Sequence, residues 1–261
     1  MKISAKRLGK ILLFYSVFYT ILGVFAAAMF TIFLKTLDDR APKWQLDKSL
    51  IGSNPGLSIK PPFPDNIIAY KSNDPKQISG LRQQLDEFLA PYFEKHDNVQ
   101  DCDNKKFPDE GKVCDFTIKD FSPCVPETNY SYGRADAGPC VFLKINKIFG
   151  WVPETYNETD LPQFIENFSF QRNKIWVTCE PQNRNDAENI GPRFYYPDSA
   201  FESKYFPFTN TRGYLSPLVA VFFENPKRGV LIKVECKLWA KNIHHDAKNS
   251  KGVVRFALLI D

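Results

Sequence analysis

The chain has 261 residues, 43% hydrophobic and 25% charged, with 34 Lys and Arg against 30 Asp and Glu for a formal net charge of +4. That is ordinary globular composition and excludes a disordered chain, a collagen and a polytopic transporter. Setting aside the first 35 residues leaves 29 basic against 30 acidic residues, so the positive charge belongs to the N-terminus. No nucleic acid is expected as a partner, because that would need a basic folded surface.

Residues 1–10 carry Lys2, Lys6, Arg7 and Lys10 and no acid, and residues 11–34 carry no charge at all. At about 1.5 Å rise per residue the uncharged run spans roughly 36 Å, enough for a hydrocarbon core of about 30 Å. A cleaved secretory leader has an apolar region of only about 7–15 residues. Here Met29-Phe30-Thr31-Ile32-Phe33-Leu34 carries the run past the one small-residue candidate, Ala26-Ala27-Ala28. Lys35, Asp38, Asp39 and Arg40 mix signs beyond the span, so the basic excess ahead of it places the tail in the cytosol and the rest outside. The expected organisation is a cytosolic tail over 1–10, a transmembrane helix over 11–34, an extracellular stalk over 35–70 and an extracellular, disulfide-linked, glycosylated β-sandwich domain over 71–261.

The span is rich in rings: Phe14, Tyr15, Phe18, Tyr19, Phe25, Phe30 and Phe33. At about 100° per residue, Tyr15, Tyr19, Ala26, Phe30 and Phe33 fall within about 60° of one another, with Gly23 at the edge of the stripe. Tyr15 is near enough to the headgroups to serve as an interfacial anchor. Tyr19 lies deeper, where its hydroxyl must reach the interface, a backbone carbonyl or a partner helix. An aromatic belt and a docking face for a second membrane protein are the two readings.

The stretch 38–64 is rich in Pro and Gly, with Asn54-Pro55-Gly56 and Pro61-Pro62-Phe63-Pro64, and reads as an extended stalk. From Ser72-Asn73-Asp74-Pro75, apolar residues Ile78, Leu81, Leu85, Phe88, Leu89 and Tyr92 recur at helical spacing to an end near Pro91. The period then becomes two, at Phe116-x-Ile118, over 141–145, at Ile175-x-Val177-x-Cys179, over 218–223, at Val230-x-Ile232-x-Val234-x-Cys236 and at Val254-x-Phe256-x-Leu258-x-Ile260. Many strands between turn-rich loops suggest an antiparallel sandwich with one appended helix.

All six cysteines, Cys102, Cys114, Cys124, Cys140, Cys179 and Cys236, follow the span, as do the three sequons at Asn129, Asn157 and Asn167. Both point to an oxidising, glycosylating lumen. Alternation puts Cys179 and Cys236 on the core faces of their strands, and a bridge between them would contribute roughly 4 kcal/mol by chain entropy. Six cysteines allow 15 pairings, and near-neighbour pairing is the simplest use of the other four.

Catalytic chemistry is not visible. Asp101-Cys102-Asp103 has an Asp-x-Asp form that can hold a metal-nucleotide, but its middle cysteine suits a disulfide. Adjacent His244 and His245 would face opposite sides of a strand and make a poor metal pair, and His96 stands apart near the helix end. Neither a nucleophile elbow nor a phosphate-cradling glycine loop is present. No cofactor is expected. Phe194-Tyr195-Tyr196-Pro197 and Tyr205-Phe206-Pro207-Phe208 set rings beside prolines, and rigid aromatic clusters are common binding anchors.

Phe14-Tyr15-x-x-Phe18-Tyr19-x-x-Leu22-Gly23, Pro55-Gly56-Leu57-Ser58, six outer cysteines, Tyr132-Gly133 ahead of Gly138-Pro139-Cys140, Lys144-Ile145-Asn146-Lys147 and Tyr214-Leu215-x-Pro217-Leu218-x-Ala220-Val221 occur in order over nearly the whole chain. Together they resemble the beta subunits of the sodium/potassium pump and its proton/potassium relative. The resemblance implies a non-catalytic plasma-membrane subunit that binds the catalytic alpha subunit of a P-type ATPase, with a small single-span regulatory subunit as a further partner. It implies roles in folding, assembly and delivery of the alpha subunit and in modulating potassium affinity. It further implies an immunoglobulin-like outer domain and bridges Cys102–Cys114, Cys124–Cys140 and Cys179–Cys236. Carried over by position, Phe14, Tyr15, Phe18, Tyr19 and Gly23 would meet a helix of the alpha subunit, and Tyr205, Phe206, Pro207 and Phe208 an outer loop of it. The family usually has Tyr at positions 206 and 208, so hydroxyl bonds there are lost and ring packing is kept. Rival readings are a pump-independent adhesion or junction protein, a lumenal transferase using Asp101, and a type II lectin-like receptor.

Overall fold

The computed structural model describes residues 5–103, 107–118, 120–134, 136–162 and 171–261, which divide into two units, Met1–Trp44 and Gln45–Asp261. The first is dominated by helix α1, Ala5–Lys35, of 31 residues, about 46 Å long at 1.5 Å per residue. Its stretch Lys6–Lys35 is long and apolar enough to cross a membrane. Thr20 and Thr31 return their hydroxyls to the carbonyls of Ser16 and Ala27 at 2.7 and 2.8 Å. Those polar side chains are therefore satisfied inside the helix, as hydrocarbon surroundings demand.

The second unit is mainly β. In chain order it comprises β1 (Leu57–Lys60), β2 (Ile67–Tyr70), helix α2 (Pro75–Phe93), β3 (Val99–Gln100), β4 (Val113–Cys114), β5 (Cys140–Ile145), β6 (Lys174–Pro181), the short helix α3 (Arg184–Asn189), β7 (Arg193–Tyr196), β8 (Ala200–Glu202), β9 (Leu218–Phe223), β10 (Ile232–Trp239) and β11 (Val253–Ile260). A four-stranded sheet runs β1-β5-β9-β7, a five-stranded sheet runs β2-β11-β10-β6-β8, and β3 and β4 form a small ribbon.

Three expectations are corrected. The stretch 35–70 is not a stalk throughout: β1 pairs with β5 and β2 with β11, with Leu57, Ile59, Ile68 and Tyr70 buried. Each strand offers only two core residues among prolines, too few to show a period. The sheets are not wholly antiparallel, since β2 runs parallel to β11 and β3 to β4. Strand β2 reaches its sheet by crossing from β1 in the other sheet, so no hairpin sets its direction. Phe116 and Ile118 are buried but lie outside any strand, as packing cover rather than as a ladder.

The two sheets share one core. In β10 the residues Ile232, Val234, Cys236 and Leu238 are buried while Lys233, Glu235 and Lys237 are not, and Arg255 and Lys237 reach Glu235 at 2.5 and 2.7 Å on the outer face. Strands β5 and β9 are instead buried almost throughout, because both faces are covered. Inward, Phe223 meets Phe256 of β11 at 6.1 Å. Outward, Phe142 stacks on Phe121 at 6.1 Å and meets Tyr130 edge-on at 5.9 Å. Phe88 of α2 lies under the Lys60 and Lys144 ammonium groups at 5.6 and 5.9 Å.

Helix α2 forms where expected. Asp74 caps it, accepting from Lys76 N and Gln77 N at 2.9 and 3.3 Å, with Pro75 in the first turn. Leu81, Leu85 and Leu89 make the buried stripe. Pro91 lacks the N–H that a further turn would use, and the helix ends two residues later, at Phe93.

Candidate functional site

The ringed flank of α1 is a continuous ladder. Phe14 stacks on Phe18 at 6.3 Å, Tyr15 on Tyr19 at 6.1 Å, and Phe18 meets Tyr19 edge-on at 5.3 Å. These four rings are exposed along the helix, and a Cβ added at Gly23 would meet nothing within 4 Å, so the surface beside it is open. Within the helix the tyrosine hydroxyls have no partner of the kind that Thr20 and Thr31 find, and in hydrocarbon such a donor favours a neighbouring helix.

The second aromatic cluster belongs to the β unit, and its four residues do different things. The Tyr205 hydroxyl donates to the Asp115 carbonyl at 3.0 Å, and its ring meets Phe116 edge-on at 5.4 Å. Burial pushes this phenol up to about 12. Phe206 turns inward, is 6% exposed, and meets Trp151 edge-on at 5.4 Å. Its ring anchors the loop from within. Pro207 and Phe208 are half-buried. Phe208 lies 5.1 Å from Tyr214 and 6.3 Å from Phe149, and its carbonyl accepts from Gly150 N at 2.9 Å. The Lys147 ammonium sits 4.9 Å from the Phe208 ring and 5.3 Å from Tyr214, within cation–π range, and burial lowers its pKa. Phe149 and Trp151 were not legible as part of this surface. The pairing of Phe149 with Phe208 and the edge-on contact of Trp151 with Phe206 bring them in.

The remaining motifs are structural. The three bridges are Cys102–Cys114, Cys124–Cys140 and Cys179–Cys236, so the family-implied pairing stands. Cys102 is thus tied, and Asp103 pairs with Lys204 at 2.5 Å, so the Asp-x-Asp run is committed to loop structure. The His245 ring nitrogen Nε2 lies 2.7 Å from the Leu238 carbonyl, while His244 makes backbone bonds with the Asn54 side chain. The sequon at Asn157 is exposed and Asn129 is half-buried, whereas Asn167 lies outside the described residues.

Comparison with known proteins sets these surfaces in context. A family model described as "Sodium / potassium ATPase beta chain" matches residues 2–257. The sodium/potassium-transporting ATPase subunit beta-2 of Drosophila melanogaster is 44% identical over 97% of this chain and 85% of its own length. Subunit beta-1 of the same organism is 37% identical over 99% of this chain and 87% of its own. Human subunit beta-2 is 30% identical over 96% of this chain and 86% of its own.

Proposed function

Because the chain belongs to the sodium/potassium ATPase beta chain family, we propose that it is the non-catalytic beta subunit of a P-type sodium/potassium-transporting ATPase, residing in the plasma membrane with its tail in the cytosol and its β unit outside. The observation that carries this reading is a family match running unbroken from the apolar helix through the β unit. The four-ring ladder of Phe14, Tyr15, Phe18 and Tyr19 supports it, since a simple anchor has no need of a polar ring at the depth of Tyr19. Phe14, Tyr15, Phe18, Tyr19 and Gly23 would seat a helix of the alpha subunit. Tyr205, Pro207 and Phe208 would meet an outer loop of it, with Phe206 holding their backbone from behind. Pairing with the proton/potassium pump is the alternative assignment, and a small single-span regulatory subunit is a further proposed companion.

The mechanism is binding rather than bond chemistry. A chain that binds the folded alpha subunit and not its unfolded forms raises the folded population by mass action. One that touches helices differently in two ion-bound states shifts the balance between them and so alters potassium affinity. Two sheets around one core support the immunoglobulin-like description of the β unit. The Cys179–Cys236 bridge departs from it, since it joins neighbouring strands of one sheet where immunoglobulin domains bridge two. Affinity purification from native membrane, followed by identification of the bound large chain, tests the reading. Recovery of a P-type ATPase near one-to-one is expected, and recovery without one would favour the adhesion reading.

A further inference from the structure

The sequon Asn129-Tyr130-Ser131 is folded shut. Tyr130 and Ser131 are both 0% exposed. The Tyr130 hydroxyl donates to Asp86 Oδ1 at 2.6 Å, and its ring packs on Phe142. The Asn129 Oδ1 accepts from Arg82 Nη1 of α2 at 3.0 Å. All three residues have left-handed backbones, with φ of 51°, 51° and 63°, which non-glycine residues keep only under firm packing. The turn also lies inside the loop closed by Cys124–Cys140, both of whose cysteines are buried. By contrast, Asn157, Glu158 and Thr159 are all exposed.

We propose that Asn129 accepts an N-linked glycan only before the Cys124–Cys140 loop closes and packs on α2, whereas Asn157 remains open to modification in the folded chain. Transfer joins Asn129 Nδ2 to the anomeric carbon of a lipid pyrophosphate-linked oligosaccharide. The carbon–oxygen bond to the pyrophosphate breaks, the amide gives up one proton, and the lipid pyrophosphate leaves. The transferase reads the hydroxyl at the third sequon position, and here that hydroxyl, Ser131 Oγ, is buried. A glycan already in place does not oppose the fold, because it occupies Nδ2 and leaves Oδ1 to accept from Arg82. Occupancy at Asn129 is thus the record of a race between transfer and loop closure. The inference rests on the lumenal placement proposed above.

The test uses the full chain made without glycans, oxidised, and shown to hold all three bridges. It is incubated in detergent with purified oligosaccharyltransferase and lipid-linked oligosaccharide, beside a reduced and unfolded sample. Glycopeptide mass spectrometry should show Asn157 modified in both samples and Asn129 modified at least tenfold less in the oxidised one. Modification of Asn129 in the oxidised chain within twofold of Asn157 would overturn the proposal. A cellular measurement covers failure of the unglycosylated chain to fold. With glycan donor made limiting, the Asn129 to Asn157 occupancy ratio should rise at least threefold in C124S/C140S relative to wild type, and an unchanged ratio would overturn it. Absence of glycan from Asn157 in cells would count against lumenal placement, which separates failure of that reading from failure of this one.

Discussion

The Tyr195 hydroxyl accepts a hydrogen bond from the Cys179 backbone N–H at 2.8 Å. Tyr195 lies on β7 of the four-stranded sheet and Cys179 on β6 of the five-stranded one, so this bond crosses the core from sheet to sheet. Strand β8 pairs with β6 from Lys174 to Trp176, and Ser199 O just ahead of β8 still accepts from Val177 N at 2.9 Å; at Cys179 the phenol takes the place of a missing strand. Tyr195→Phe would leave the amide of a fully buried residue without its acceptor, at a cost of about 1–3 kcal/mol. Thermal unfolding of the detergent-solubilised chain should show the loss with all three bridges intact on non-reducing gels. An unchanged midpoint would mean that the amide finds another acceptor.

Phe206 and Phe208 should separate stability from docking. Phe206→Ala empties a buried site against Trp151 and should cost about 3–5 kcal/mol. Phe208→Ala removes a half-exposed ring and should cost about 1 kcal/mol in stability, yet lower capture of the large chain. Paired measurements of unfolding and co-purification would reverse this assignment if Phe208→Ala proved the more destabilising of the two.

Tyr19→Leu keeps apolar bulk on the ringed flank and deletes one hydroxyl. Interhelical bonds in membranes contribute about 0.6–1.7 kcal/mol, so recovery of the alpha subunit should fall about three- to eighteenfold while the three disulfides are unaffected. Undiminished recovery would leave the ladder as an interfacial belt.

Stability should fall in alkali. Burial raises the phenol pKa of Tyr195 and Tyr214, and of Tyr205 to about 12. A raised folded value means the native chain holds protons that the unfolded chain has lost. Their contribution is complete below about pH 10 and disappears as pH climbs through the folded values, by about 1.4 kcal/mol per pH unit for each tyrosine still protonated. Denaturation midpoints should therefore be flat to about pH 10 and drop steeply by pH 12. The Tyr195→Phe chain should show a shallower drop, and an equal slope in both would remove Tyr195 from this account.

The sequence by itself determined what depends on local order and on charge. It marked the uncharged run inside α1, the basic tail ahead of it, the capped and periodic α2, the strands around Cys179 and Cys236, and the family through motifs in order. Tertiary structure alone decided where segments with weak local signal belong. Leu57 and Ile59 are two apolar residues among prolines until β5 gives them a partner. Phe206 and Phe208 are chemically alike and two positions apart, yet one fills the core against Trp151 while the other lies at the surface under Lys147. Which ring turns inward depends on the cavity left by residues more than fifty positions away, and no pattern within the loop encodes the shape of that cavity. Ser131 makes the same point, since its motif is complete in the sequence and only the tertiary structure buries its hydroxyl.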